Sequence, residues 1–308
     1  MEPVDLPVPE PGAGQILVRL GAIGVNFIDI YRRSGLYPVQ LPHVPGLEGA
    51  GKVEEVGEGV VHLHKGDRVA FADAPGTYSQ FVVLPADRAV KVPDQITDQQ
   101  AAAAMLQGMT AHYLAVDTYP IKGGDTVLIH AAAGGVGTLL VQLARRRGGR
   151  VLATVSTPEK AERAREAGAH EVILYKEKDF VAEVRRLTGG RGVQAVYDSV
   201  GRATFMRSLE CLATRGMLVS FGQSSGPIES FDPAVLGRQG SLYLTRPSLF
   251  HYVAEAEELR RRAGEVLQWI AEGSLRLTIG LTLPLAEAAE AHRRLAGRRT
   301  VGKVLLEP

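Results

Sequence analysis

Between residues 126 and 245, short apolar runs alternate with segments in which apolar residues recur every three or four positions. The runs at 126–130, 151–155, 171–175, 194–198, 217–221 and 241–245 have the length and composition of buried strands. The stretches 137–147, 158–167, 179–187 and 203–213 carry helical spacing and close on Gly or polar stops such as Ala167-Gly168-Ala169. A longer polar link precedes the sixth strand. This alternation predicts an α/β, doubly wound parallel sheet of the Rossmann type over 111–248.

The pattern differs on either side. Residues 1–110 are rich in Gly and Pro, with short alternating strands at 15–22, 49–56, 67–72, 78–84 and 89–91, which predicts a compact, barrel-like all-β unit. Residues 99–116 form an apolar helix that leads into the parallel sheet. After 248 a helix over 255–272 places Leu259, Ala263, Val266, Leu267 and Ile270 on one stripe. A strand at 275–279, a helix at 285–294 and a last strand at 303–306 follow. These elements are too few to fold alone, so 249–308 is expected to complete the first domain, with a cleft between the two domains as the site.

The joint between the first strand of the parallel sheet and its helix carries the strongest chemical signal. A pyrophosphate binds where backbone N–H groups at a helix N-terminus point at it and no bulky side chain holds it off. Gly134 and Gly137 supply the second and third glycines of G-x-G-x-x-G, Gly135 and Val136 lie between them, and Ala132 stands at the first position. Alone, this is also the pattern of a tight turn. At the head of a six-strand alternation it predicts a dinucleotide site.

A carboxylate that would close on the adenosine ribose is missing from the end of the second strand, which reads Thr154-Val-Ser156-Thr157-Pro158-Glu159-Lys160. Its absence removes repulsion against a 2′-phosphate, and Lys160 offers that phosphate a compact positive charge, which favours NADPH over NADH. The competing reading makes Lys160 a solvated helix residue. Glu159 should lie inside the helix, pointing away from the ribose.

Composition narrows the class. At 308 residues the chain can hold two sizeable cores, and 35 basic against 34 acidic residues give a formal net charge of +1. No field is thereby set up to steer nucleic acid or an anionic membrane. Arginine clusters at 145–147, 260–262 and 293–294 fall in amphipathic helices and read as solvated faces. No apolar run reaches membrane-spanning length and no charged-then-apolar leader opens the chain, so the cytoplasm is the expected compartment. Cys211 stands alone, which excludes an intrachain disulfide and a four-cysteine zinc site, and it reads as a small buried hydrophobe. His62 and His64, with Glu48, Glu54 and Asp67, form a metal-like edge. The segment 60–67 reads instead as a loop feeding a strand, and no metal is expected.

A family resemblance rests on motifs spread along the whole chain: Gly24-Val-Asn-Phe-Ile-Asp29, Ser34-Gly-Leu-Tyr-Pro38, Pro45-Gly-Leu-Glu-Gly-Ala-Gly51, Val56-Gly-Glu-Gly59, Gly66-Asp-Arg-Val69, Gln107-Gly-Met-Thr-Ala-His-Tyr113, His130-Ala-Ala-Ala-Gly-Gly-Val-Gly137, Tyr197-Asp-Ser-Val-Gly201 and Thr245-Arg-Pro-Ser-Leu249. With these the chain resembles the zinc-less quinone oxidoreductases, the zeta-crystallin-like branch of the medium-chain dehydrogenase/reductase superfamily. The resemblance implies a GroES-like β-barrel domain beside the Rossmann domain. It also implies zinc-independent, NADPH-dependent reduction of a small neutral quinone by hydride or single-electron transfer. It begins at about residue 4, where similar chains first carry a further β-hairpin; loss of a strand there would leave an exposed edge.

The resemblance places Asn26, Asp29, Tyr37 and Thr110 beside the nicotinamide. Ser199 lies along the cofactor, and Phe221, Gly222 and Ser224 close over it. Lys160, Tyr175 and Arg298 fall at the positions that hold the 2′-phosphate, while Ser156 departs from the glycine common there. The edge strand from Ser241 to Thr245 is expected to pair antiparallel in a homodimer. An amide at Asn26 and hydroxyls at Tyr37 and Thr110 are candidate donors to a developing oxyanion. Read without the resemblance, Asn26 ties down a loop, Asp29 caps the turn at 30–33, and Tyr37-Pro38 is core. Three alternatives stay open: an enoyl or 2-alkenal double-bond reductase acting on an enone, an NADPH-sensitive RNA-binding protein, which the near-zero charge and absence of a stacking platform disfavour, and a crystallin-like structural protein.

Overall fold

A computed structural model describes residues Met1–Pro308 and divides into two compact units, Met1–Met109 with Tyr252–Pro308, and Thr110–His251. The first unit is organised on β1 (Gln15–Val25), whose Ile16, Val18, Leu20, Ile23 and Val25 are all buried. So apolar a strand needs partners on both edges and cover on both faces. After α1 (Phe27–Arg33) come β2 (Glu48–Val56), β3 (Arg68–Phe71), β4 (Phe81–Pro85), β5 (Val90–Lys91) and α2 (Asp98–Tyr113). A sequence reading that saw only a turn at 30–33 missed α1.

The second unit alternates β6 (Thr126–Ile129), α3 (Gly135–Arg146), β7 (Arg150–Val155), α4 (Pro158–Glu166), β8 (Glu171–Leu174), α5 (Phe180–Leu187), β9 (Val193–Asp198), α6 (Phe205–Glu210) and β10 (Leu212–Ser220). The short α7 (Ala234–Arg238), β11 (Tyr243–Thr245) and α8 (Leu249–Tyr252) follow. All its strands are parallel, in the order β11-β10-β9-β6-β7-β8. Two chains of crossovers start from neighbouring central strands, β6 and β9, and run outward in opposite directions. Leu128, Leu152, Val196 and Leu218 fill the core from successive strands. The helix expected at 203–213 is shorter, because β10 begins at Leu212 and takes its last residues.

The chain then returns to the first unit as α9 (Ala256–Ala271), β12 (Ile279–Pro284), α10 (Ala288–Ala296) and β13 (Lys303–Glu307). β13 pairs antiparallel with β1 and parallel with β12, giving a seven-stranded sheet ordered β12-β13-β1-β2-β3-β5, with β4 also on β1. The strand expected at 275–279 lies later. Side chains alternate in burial only from Ile279 onward, in register with β13, whereas Leu275 is buried before the strand begins. One arginine cluster is also corrected. Arg262 is 1 % exposed, ion-paired with Glu258 and hydrogen-bonded to the Tyr252 carbonyl at 3.0 Å, so it belongs to the buried stripe of α9. No helix is long and apolar enough to cross a membrane.

Candidate active site

In the first unit, Asn26 follows β1 and is the N-cap of α1. Its backbone N–H donates to Asp29 Oδ2 at 2.8 Å, so Asp29 caps the start of α1 rather than a turn at 30–33, which fixes how the chain leaves the strand. The Asn26 side chain is 3 % exposed and reaches four partners. Its Nδ2 donates to Glu48 Oε2 at 2.8 Å and to the Gly24 carbonyl at 3.5 Å; its Oδ1 accepts from Lys303 Nζ at 2.9 Å and from Gln107 Nε2 at 3.3 Å. The expectation of a free amide donor at Asn26 is therefore not met. Glu48 and Lys303 form an ion pair with side chains 0 % and 2 % exposed, and Glu48 Oε1 also takes the Leu106 N–H at 2.5 Å. Gly24 makes room for it: a Cβ there would stand 2.1 Å from Glu48 Oε2 and 2.9 Å from Lys303 Nζ.

Behind Asp29 lies a second polar chain. Tyr78 Oη is 3.3 Å from Asp29 Oδ2 and 2.9 Å from His292 Nε2, while Asp29 Oδ1 and His292 Nδ1 have no partner. Burial pushes the Asp29 carboxyl up to about 7, against the pull of the Asn26 N–H and Lys303. Burial, and then Arg33, hold the His292 imidazole down at about 4. Both groups are thus neutral near pH 6. Tyr37 is half-buried and packs edge-on against Tyr31, with ring centroids 5.4 Å apart. Thr110, the first residue of the second unit, is buried three residues beyond Gln107 on α2.

In the second unit the glycine-rich turn has the form a pyrophosphate needs. Gly134 is the N-cap of α3, in extended conformation and with no side chain capping the helix, so the first N–H groups, on Gly135, Val136 and Gly137, have no partner within the helix. A Cβ at Gly137 would stand 2.3 Å from the Ala131 carbonyl and 2.8 Å from Ala132 Cα, so only glycine lets the helix start this close to the strand. Ala132 is fully buried, and Ala131 takes the left-handed conformation of the turn, φ 49°. A non-glycine residue held there costs about 1–2 kcal/mol. The uncapped helix end and the close approach fit a dinucleotide.

One buried relay ties the strand ends around this turn. Asp198 accepts from the Val200 N–H (2.7 Å), the Gly201 N–H (3.1 Å), Thr204 Oγ1 (2.7 Å) and Ser208 Oγ (3.0 Å). Ser208 Oγ lies 3.0 Å from His130 Nε2, and His130 Nδ1 lies 2.7 Å from Thr154 Oγ1. With Asp198 only accepting, the protons run one way: Thr154 donates to Nδ1, Nε2–H donates to Ser208, and Ser208 donates to Asp198. Burial keeps His130 below its usual range although Asp198 pulls it up.

The remaining candidates divide between the units. Ser156 and Lys160 follow β7, Lys160 half-buried, with its N–H on Thr157 Oγ1 at 3.3 Å, and Glu159 exposed. Tyr175, 39 % exposed, follows β8; Ser199 follows β9, and its carbonyl takes the Ser224 N–H at 3.1 Å beside Phe221 and Gly222. Arg298 is exposed in the first unit, after α10. Cys211 is buried and its thiol is pushed up to about 12 by burial, a small hydrophobe as expected. His62 meets the Ala86 carbonyl, His64 faces Asp67, and no three His, Cys, Asp or Glu side chains are arranged to hold a metal ion. Sequence reasoning missed Gln107, Lys303, Tyr78, His292 and the His130 relay. One signal was available, a lysine opening the apolar strand Lys303-Val-Leu-Leu306.

Comparison with known proteins agrees with this architecture. Residues 12–94 match the model of the alcohol dehydrogenase GroES-like domain, and residues 135–270 match that of the zinc-binding dehydrogenase. A quinone oxidoreductase of Pseudomonas aeruginosa is 48 % identical over 301 residues, 97 % of this chain and 93 % of its own. A solved structure of the Escherichia coli quinone oxidoreductase complexed with NADPH has a TM-score of 0.97 at 45 % identity, covering 99 % of this chain and 95 % of that one. A 2-haloacrylate reductase of a Burkholderia species is 45 % identical over 314 residues, 99 % of this chain and 94 % of its own. A GroES-like unit built on a mainly antiparallel sheet with helices, joined to a parallel sheet with an uncapped glycine turn, defines the medium-chain dehydrogenase/reductase class. Within that superfamily the chain belongs to the quinone oxidoreductases.

Proposed function

We propose that this chain is an NADPH-dependent, metal-independent reductase of small neutral quinones. The uncapped start of α3 at Gly134, tight against Ala131 and Ala132, is the observation that carries the reading, because it presents backbone donors to a pyrophosphate. Gly134, Gly135, Val136 and Gly137 hold the pyrophosphate, with Ala132 shaping the turn. Lys160, Tyr175 and Arg298 hold the 2′-phosphate, and Ser156 adds a hydroxyl there. Thr110, Ser199, Phe221, Gly222 and Ser224 set the nicotinamide. When bound, NADPH supplies the reducing electrons. The hydroxyls of Tyr37 and Thr110 donate to the acceptor oxygen as it gains charge, and Asn26 with Asp29 holds the loop they share with the site.

The test is a screen of NADPH oxidation. Quinones should be reduced with kcat/KM at least ~10-fold above any enal, a difference of about 1.4 kcal/mol in transition-state binding, and dialysis against a chelator should leave the rate unchanged. The 2-haloacrylate reductase relative favours one second reading, an activated carbon–carbon double bond as acceptor. A faster rate with 2-haloacrylate or an enal would select it. We further propose a homodimer through β11, an edge strand whose Tyr243 is 57 % exposed, testable by light scattering. The cytoplasm is the proposed location, where a lone buried thiol stays reduced.

A further inference from the structure

The Asn26 amide cannot be turned around. Glu48 accepts from its Nδ2 and Lys303 donates to its Oδ1, so a flipped amide would set NH2 against an ammonium and oxygen against a carboxylate. With its second hydrogen on Gly24 and its oxygen shared with Gln107, Asn26 is fully engaged inside the protein. What it controls is the next amide. Because Oδ1 only accepts, the group of Gln107 facing it must be Nε2, and this settles which way the Gln107 amide points. Gln107 is half-buried, and its second N–H and its Oε1 make no bond to the protein. Thr110, three residues on, lies on the same face of α2.

We propose that Gln107 is a catalytic residue that hydrogen-bonds the carbonyl oxygen of the acceptor, and that Glu48, Lys303 and Asn26 are positioning residues that orient its amide. This inference rests on the quinone-reductase reading above. A neutral amide donor suits a neutral carbonyl that gains charge during reduction, since it stabilises the oxygen without clamping an anion beforehand. A buried ion pair also needs partners for the remaining Lys303 protons and Glu48 lone pairs, and Asn26 supplies one to each. What the ion pair itself does not call for is the next bond, from Gln107 Nε2 to Asn26 Oδ1, which carries the network to a half-buried side chain.

The experiment compares the wild type, Gln107→Ala, the double variant Glu48→Gln/Lys303→Met and the triple variant. Quinone kinetics, NADPH dissociation by fluorescence and thermal melting are measured on each. Gln107→Ala should lower kcat/KM for the quinone at least 10-fold, with NADPH dissociation changed less than 2-fold. The double variant should show a similar loss, and the triple variant no more than Gln107→Ala alone, because the pair acts through Gln107. Lys303→Arg should keep most of the activity. Losses that multiply in the triple variant, or Gln107→Ala within 2-fold of wild type, overturn the inference. Should the double variant fail to fold, Gln107→Glu carries the test at a half-buried position. A carboxylate cannot donate to Asn26 Oδ1, so a loss of at least 10-fold is expected, and unchanged activity overturns the inference. A wild type without quinone activity removes the functional reading and this inference together, whereas an active wild type with multiplying losses removes only the inference.

Discussion

The two units each bury a polar network beside their candidate residues, and they build it from opposite materials. In the first unit the network is ionic: Glu48 and Lys303, 255 residues apart, grip the two ends of one amide. In the second it is a one-way chain of neutral donors from Thr154 through His130 and Ser208, ending on a single carboxylate already held by two backbone N–H groups. A dinucleotide site takes its donors from the backbone, so the sheet beneath it needs only rigidity, which neutral hydrogen bonds supply. Fixing the Asn26 amide against a flip requires an acceptor at its nitrogen and a donor at its oxygen, and here both are charged. The ion pair meets that requirement at the cost of desolvating two charges.

The largest test of the comparison breaks one charge. Lys303→Met leaves Glu48 buried without its counter-ion, and about 3–5 kcal/mol of stability should be lost, read from the urea midpoint. Glu48→Gln/Lys303→Met should recover at least half of it, because no uncompensated charge remains. A single variant that costs under ~1 kcal/mol would show that the pair is hydrated and that the two networks do not differ in kind.

The pH dependence of stability sharpens the contrast within the first unit. Asp29, raised from its ordinary 3.8 to about 7, keeps its proton in the folded state while the unfolded chain releases it. Its contribution therefore grows as pH falls from about 7 to about 4. His292, lowered from 6.5 to about 4, does the reverse: the unfolded state takes the proton first, so stability is lost as pH falls through the same window. The two nearly cancel between pH 4 and 6.5. Asp29→Asn removes the compensating half, and relative to wild type it should lose up to about 3 kcal/mol on acidification across that range. Parallel melting curves at every pH for the two proteins would exclude the pairing.

Replacing Lys160 by Ala probes the second unit without disturbing its buried relay. A charge-assisted contact to the 2′-phosphate is worth ~1.5–3 kcal/mol, so KM for NADPH should rise roughly 10- to 100-fold and that for NADH should hardly change. Equal use of both cofactors by the wild type would remove the phosphate role.

What could be read from sequence divides along the same line. The parallel sheet, its six strands and the glycine turn are encoded in local spacing, and a window of residues suffices to see them. The capping role of Asp29 is equally local, three residues from Asn26. Glu48 and Lys303 meet only because β13 returns to pair with β1, and no periodicity in either segment announces the other. Asn26 read as a free donor for the same reason, since its partners come from β2, α2 and β13. Arg262 looked solvated because its two arginine neighbours masked its place in the buried stripe, and the Glu258 and Tyr252 contacts that neutralise it are visible only in three dimensions.

The smallest effect tests the neutral relay itself. Thr154 is 1 % exposed at the end of β7, two residues before Ser156, and its hydroxyl is the one partner of His130 Nδ1. Thr154→Val keeps the shape and removes the donor, leaving a buried imidazole nitrogen unsatisfied, so about 1–2 kcal/mol of stability should be lost. Thr154→Ser keeps the hydroxyl and should restore the bond. Because the Thr154, His130 and Ser208 side chains of the relay carry no charge, the loss should not change between 0.05 and 0.5 M salt, and NADPH dissociation should stay within about 2-fold of wild type while the backbone donors of α3 remain in place. A loss as large as that of Lys303→Met would mean that the proton order is different and His130 is charged, because only an uncompensated buried charge costs that much.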